Sequence, residues 1–275
     1  MILIGLTGSL ATGKSTVSTI LHSPPYSLPI IDADLLAHRA LLPGTLGYSR
    51  ILSYFGPSTP DLLQPLSPDA PLGTGPNATR PINRAALGRR VFGSSDAKRR
   101  DREKLNSIVH PLVRMAMVRE LVWYFVRGWW AVVLDVPLLY ESGLDIFVSV
   151  VLMVGVSSPA VQMARLRERD QGLSKGEAED RVGSQMGVEE KVGRTRARGE
   201  RRGKVVMNDG DRGDLEREVG RVIGEVGGEG GGRAWGWWLM GSPVGVVGVS
   251  GWEVWSGWRA RKRWEEERRR ERARL

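Results

Sequence analysis

The chain has 275 residues, 41% apolar and 26% charged, enough to bury a sizeable core and compatible with one α/β domain carrying appendages. It contains no cysteine, which excludes disulfides and cysteine-ligated zinc or iron-sulfur centres, and only His22, His38 and His110 remain as nitrogen ligands, so any metal is expected to be a hard, oxygen-bound ion such as magnesium. The formal charge of +9 is uneven: Arg259–Leu275 holds nine basic and four acidic residues, leaving only +4 for the other 258, an excess that anionic nucleotide substrates explain as well as RNA does.

In chain order, the apolar run Met1–Leu6 reads as a buried strand and Thr16–Leu21 as a helix, with a Gly-rich loop between them. A strand at the very start argues against a targeting peptide. Gly8, Gly13, Lys14 and Ser15 match G-x-x-x-x-G-K-[ST] in the strand–loop–helix context that the mechanism requires. The loop residues Gly8, Ser9, Leu10, Ala11, Thr12, Gly13, Lys14, Ser15 and Thr16 are therefore read as a nucleotide cradle. Backbone amides converge on the β-phosphate at the positive end of the helix, Lys14 bridges the β- and γ-phosphates, and the Ser15 hydroxyl ligates magnesium.

"LPIID", Leu28–Asp32, is a second strand. Asp34, just past its carboxyl end, is placed to take a proton from an acceptor alcohol, with a helix N-cap as the bland alternative; for Asp32 the cap is the favoured reading. The segment from about 35 to 127 is mostly helical in pattern, interrupted by a proline-rich stretch over 56–81 read as a mobile surface insert. The runs Ala131–Leu139 and Val148–Val154 suit strands covered on both faces of a parallel sheet, and Lys204–Asn208 is a weaker fifth. Asp135 follows four apolar residues, where a phosphate-loop protein holds its magnesium; a backbone-paired strand-end Asp is the alternative. Arg165 and Arg169 lie one helical turn apart and can clamp a γ-phosphoryl group, unless they form a solvated basic face, as Arg167 is expected to do. "SKGE", Ser174–Glu177, reads as a capping box, and "GEVGGEGGG", Gly224–Gly232, as a flexible hinge that ends the folded domain.

These motifs together resemble the dephospho-coenzyme A kinase family. "GLTGSLATGKSTVS", "IDADLLAH", "INRAALGRRVF", "LNSIVHPLV", "LDVPLLYESGLD", "QMARLRERDQGLS", "QM" at Gln185–Met186 and "MNDG" at Asn208 stand in the family's order, from Met1 to about Val226. The resemblance implies a P-loop kinase fold with a five-stranded parallel sheet flanked by helices, a helical acceptor subdomain and a small lid over about 165–200. It implies ATP-dependent phosphorylation of the ribose 3′-hydroxyl of dephospho-coenzyme A, with Asp34 as base, Lys14 and Ser15 as phosphate and magnesium groups, Arg165 and Arg169 from the lid, Asn208 near the adenine, and His110 in the acceptor subdomain without an assigned role. Two departures stand out. Ser9, Leu10, Ala11 and Thr12 replace a common Gly-Ile-Gly-Ser, of small consequence if only amides bind, and Gly155 replaces a common acid, which is expected to loosen the turn after strand four. The insert suggests a eukaryotic, fungal-type member.

Beyond a Gly-rich linker at 227–233, the segment 234–275 is not explained by the family. Tryptophans flank an uncharged, glycine-containing stretch, and "RARKR" follows. A membrane-surface anchor through 234–264, a membrane span and a packed or disordered tail all remain open, with the final charged run read as a solvated helix. A cytoplasmic location is expected, with the tail's attachment to the ER or mitochondrial outer membrane and a complex with the preceding pathway enzyme as open possibilities. The competing functions are a nucleoside monophosphate kinase-like enzyme and an inactive phosphate-loop scaffold binding RNA through "RTRARGERR"; nucleic acid is not the expected partner.

Overall fold

The computed structural model describes residues 1–65, 80–93, 95–170, 176, 182–183, 185–229 and 243–272. By chain contacts it divides into two compact units, Met1–Ile31 with Tyr124–Leu275, and Asp32–Trp123.

The first unit is built on a five-stranded parallel sheet of β1 (Ile2–Gly8), β2 (Ile30–Asp32), β3 (Ala131–Asp135), β4 (Val150–Gly155) and β5 (Gly203–Met207), in the order β2-β3-β1-β4-β5. β1 lies centrally, pairing Ile2 with Ala131 on one side and Ile4 with Val150 on the other. Every residue of β3 and β4 is buried, as strands covered on both faces require. Among the described residues the helices of this unit are α1 (Lys14–His22), α6 (Pro159–Arg169), α7 (Val188–Arg196), α8 (Arg212–Glu229) and α9 (Pro243–Arg272); the helices between the first and second of these in the chain belong wholly or mostly to the other unit. The core joins Ile4, Leu6, Val17 and Leu21 to Leu152 and Val154 of β4 and to the α8 stripe Leu215, Val219, Val222, Ile223 and Val226.

That stripe corrects the expected hinge. α8 continues through Gly224–Glu229 because Val226 is seated in the core and Gly227 lies 3.8 Å (as an added Cβ) from the Trp130 ring; tertiary packing outweighs the poor helix propensity of glycine. The remainder of the expected linker, 230–233, lies outside the described residues, as do Ser174 and Glu177 of the expected capping box and the tryptophan-rich stretch 234–242.

Among the described residues no helix is long and apolar enough to cross a membrane. Part of the tail is packed: Ala260 is buried, and Gly257 approaches the backbone of Ile146 so closely that a Cβ would sit 2.8 Å from its carbonyl oxygen.

Beneath α9 lies a charge cluster. Asp145, in the short 3-10 turn Leu144–Phe147, is 1% exposed and faces Arg194 at 3.2 Å and Arg198 at 3.6 Å. Burial pushes the Tyr140 hydroxyl pKa up to about 12, and that group shares a 2.6 Å hydrogen bond with Thr195. Removing the one carboxylate leaves two buried guanidinium groups uncompensated, so Asp145→Asn is expected to cost about 3–5 kcal/mol, measured by urea denaturation.

The second unit holds α2 (Ala33–Arg39), α3 (Leu46–Phe55), α4 (Arg84–Val91) and most of α5 (Asp96–Val126). Its core is Tyr48, Ile51, Phe55, Leu62, Ile82, Leu87, Val91 and Ile108. The proline-rich stretch is anchored at both ends rather than wholly loose: Leu62 is buried, Leu63 bridges Ile82, and the Tyr48 hydroxyl donates to the Arg80 carbonyl at 2.7 Å. Its middle, 66–79, lies outside the described residues. His110 is exposed on the surface of α5, within the helix.

Candidate functional site

The phosphate loop is the sharp turn from β1 into α1. Gly13 stands immediately before α1 with φ +92°, a conformation that glycine adopts without strain, and the amides of the first turn are left pointing into the loop. Gly8 admits no side chain either, since a Cβ would meet the Val154 carbonyl at 2.9 Å. The loop encloses an open cavity of about 680 Å³ lined by all of Gly8–Thr16 together with Arg165, Arg169 and Asn208. Residues from distant parts of the sequence are thus brought to one place.

Several side chains hold the loop's shape. Asn208 donates from Nδ2 to the Thr12 carbonyl at 3.0 Å, while its backbone carbonyl accepts from Arg165 at 2.8 Å. Gln162, buried on α6, donates to the Leu10 carbonyl at 2.7 Å, and the Thr12 hydroxyl donates to the Ser9 carbonyl at 2.9 Å. Ser9 donates to the Met186 carbonyl at 3.3 Å. The Met186 amide in turn donates to Glu141 at 3.2 Å, and Glu141 faces Lys191, whose ammonium also donates to the Pro137 carbonyl at 3.1 Å. Burial pushes the Lys191 pKa down, and Glu141 opposes that shift.

Lys14 makes a 2.5 Å ion pair with Asp135 at the end of β3, and the carboxylate is buried. Asp135 therefore has a side-chain cation as partner rather than the backbone partner held open above. Ser15 is exposed at the mouth of α1. A hydroxyl and a carboxylate are both hard oxygen donors, a set that suits magnesium with its remaining positions filled by phosphate and water. Arg165 is half-buried, whereas Arg169 is exposed and pairs with its neighbour Asp170 at 3.1 Å. Asp32 does cap α2, accepting from the amides of Asp34 and Leu35 at 2.8 and 2.9 Å. Asp34 lies in the first turn of that helix with its side chain exposed.

Two departures from the family pattern take on physical meaning. The turn after β4 is not loose: Gly155 accepts from the Asn208 amide at 2.8 Å, and Ser157 donates twice to Asp209, from its amide at 2.8 Å and its hydroxyl at 2.5 Å. These bonds hold the Asp209 carboxyl below its ordinary value. Ala11, by contrast, sits at φ +60°, a left-handed conformation that an L side chain resists. The residue at position 11 therefore matters to the loop's backbone. Ala11→Gly is expected to stabilise the protein by about 0.5–1 kcal/mol, because the strain relieved exceeds the added freedom of the unfolded chain. A thermal unfolding curve checks it.

Gln162, Gln185, Glu141 and Lys191 carry no role in a motif-based reading. The blocks containing Gln162 and Gln185 were legible, but a glutamine's hydrogen-bond partner is set by tertiary contact, and nothing in the spacing identifies it.

Residues 2–210 match the family model described as dephospho-CoA kinase. The chain is similar to the dephospho-CoA kinase of Saccharomyces cerevisiae, 36% identical over 223 residues that cover 81% of this chain and 82% of that protein. It is also similar to the dephospho-CoA kinase of Symbiobacterium thermophilum, 41% identical over 81% of this chain and 79% of the relative. Among solved structures, a Thermus thermophilus protein aligns with TM-score 0.59 and 30% identity over 82% of this chain and 97% of its own. The dephospho-CoA kinase of Campylobacter jejuni aligns with TM-score 0.53 and 25% identity over 82% and 96%.

Proposed function

The chain belongs to the dephospho-CoA kinase family, and on that premise we propose a part for each residue of the site. The reaction is transfer of the γ-phosphoryl group of ATP to the ribose 3′-hydroxyl of dephospho-coenzyme A, giving coenzyme A and ADP. Membership of this family favours that acceptor over a nucleoside monophosphate, and catalysis over a scaffold role.

The amides of Gly8–Thr16 hold the β-phosphate at the positive end of α1. Lys14 exchanges its bond to Asp135 for one to the β- and γ-phosphates. Arg165 and Arg169 donate to the transferred group, where charge spreads over three equatorial oxygens. Asp34 accepts the proton of the 3′-hydroxyl as that oxygen attacks phosphorus in line with the departing ADP oxygen. Ser15 and Asp135 are the residues that would hold magnesium, which would supply positive charge to offset that of the phosphates. Asn208 acts on the loop itself, keeping Thr12 and Gly13 in the conformation that aims the amides.

The observation that carries this reading is the convergence of Lys14, Arg165, Arg169 and Asn208 on the cavity formed by the phosphate loop. The test is ADP release from ATP and magnesium with dephospho-coenzyme A, with CMP or AMP, and with no acceptor. Release that depends on dephospho-coenzyme A alone is expected; equal release with the nucleoside monophosphates overturns the choice of acceptor.

A further inference from the structure

The match to the family model stops at residue 210, and α9 lies wholly beyond it. Yet α9 is bound to the same unit that carries the phosphate loop. The residues that α9 turns toward this unit, Gly257, Ala260, Arg261, Trp264 and Arg268, stand at positions i, i+3, i+4, i+7 and i+11, the pattern of one helical face. Gly257 lies against Ile146 and the Arg261 guanidinium reaches within 3.1 Å of the Cβ position of Gly143, so the helix is seated on the turn that holds Asp145.

Farther along, α9 meets α7. Arg194 of α7 lies over two rings, Tyr140 at 4.6 Å and Trp264 of α9 at 5.2 Å, so Trp264 closes the outer side of the buried Asp145–Arg194 pair. Arg268 pairs with Glu190 on α7 at 2.9 Å. The opposite end of these contacts is the phosphate loop: the chain leading into α7 is Gln185–Met186, where Gln185 lines the nucleotide cavity and Met186 accepts from Ser9. Lys191, fully buried one turn before Arg194, fixes the same helix to Pro137 and Glu141, and Glu141 accepts from the Met186 amide.

We propose that α9 is an intramolecular strap that sets nucleotide affinity: Trp264 and Arg268 are positioning residues that hold α7, and through it Gln185–Met186, against the phosphate loop. The proposal rests on the loop's being the ATP site. Loosening the strap lets the lead-in to α7 withdraw from Ser9, so the nucleotide loses one wall of its cavity, whereas the acceptor and the reacting groups are untouched. The effect is on KM for ATP, not on kcat.

In the full-length protein, Trp264→Ala is expected to raise KM for ATP and Kd for ADP by about 3- to 10-fold, the range that a partly exposed cation–π contact supports. Arg268→Glu is expected to raise both by about 2- to 5-fold, the upper range for a half-exposed ion pair. kcat and KM for dephospho-coenzyme A are expected to change by less than a factor of two. A purely structural strap predicts a lower melting temperature with unchanged nucleotide constants, and that result overturns the proposal. Charge reversal supplies an independent arm: Glu190→Arg combined with Arg268→Glu is expected to restore the ADP Kd, and failure to restore it sinks the pair's assigned part. Because ADP is titrated without acceptor or turnover, an unmodified protein that binds ADP but does not phosphorylate dephospho-coenzyme A counts against the kinase reading and leaves the strap standing or falling on its own data.

Discussion

With Asp34 replaced by asparagine, acceptor-dependent ADP release is expected to fall by about 10²- to 10⁴-fold, the span attributable to a positioned general base. The substitution keeps size and removes only the charge and basicity. It leaves the cap of α2 in place, because that cap is made by the side chain of Asp32, to which Asp34 contributes only its backbone amide. ADP affinity is expected to be unchanged while kcat drops, and a melting curve separates loss of chemistry from loss of fold. Asp32→Ala separates the two carboxylates: it should cost about 1 kcal/mol of stability through the lost cap and leave far more activity than the Asp34 variant. If Asp34→Asn retains kcat within about threefold, the proton has another acceptor and the assignment is wrong.

The second large effect is expected at Gly13. A methyl group there meets the Asn208 amide directly, and the backbone must hold φ +92° around an L side chain. The backbone term is about 1–3 kcal/mol and the displaced Asn208–Thr12 hydrogen bond adds about 1, so Gly13→Ala should weaken ADP binding by about 10²-fold, read by titration. Adding Asn208→Ala removes the collision but not the dihedral strain, and should recover only part of the affinity. Full recovery in the double variant would mean that the conformation of Gly13 is not what constrains the loop.

The parts of this molecule that were legible in the sequence are those governed by local pattern. Ile2–Gly8 and Val150–Gly155 are apolar without alternation, as only strands covered on both faces are, and Gly13-Lys14-Ser15 falls where such a strand turns into a helix. Asp32 could be read as a cap because capping needs nothing beyond the next three residues. What escaped is decided by contacts distant in the chain. The glycines of α8 signal a hinge by propensity, and only Val226 in the core and Trp130 beside Gly227 keep that stretch helical. Gln162 differs in no local respect from other helical glutamines, yet it holds the Leu10 carbonyl. The seat of α9 could not be read because its partner is an irregular turn around Asp145 rather than a face with a period. The strain at Ala11 was hidden for a different reason: the motif permits any residue there, and the cost belongs to the dihedral rather than to the side chain's chemistry.

The separations spanned by the loop's supports have a consequence for biosynthesis. The phosphate loop precedes its supports in the chain: the bond from Gln162 reaches back 152 residues and that from Asn208 reaches back 196. Contacts so remote in sequence form late, after the intervening chain has condensed. A nascent chain that stops short of Asn208 holds the whole motif with no frame to shape it, so the ability to retain ATP should emerge abruptly, once Asn208 has been added. Nucleotide present during synthesis would then act only on chains whose sheet is already whole, stabilising finished molecules by mass action without guiding the ones still being made.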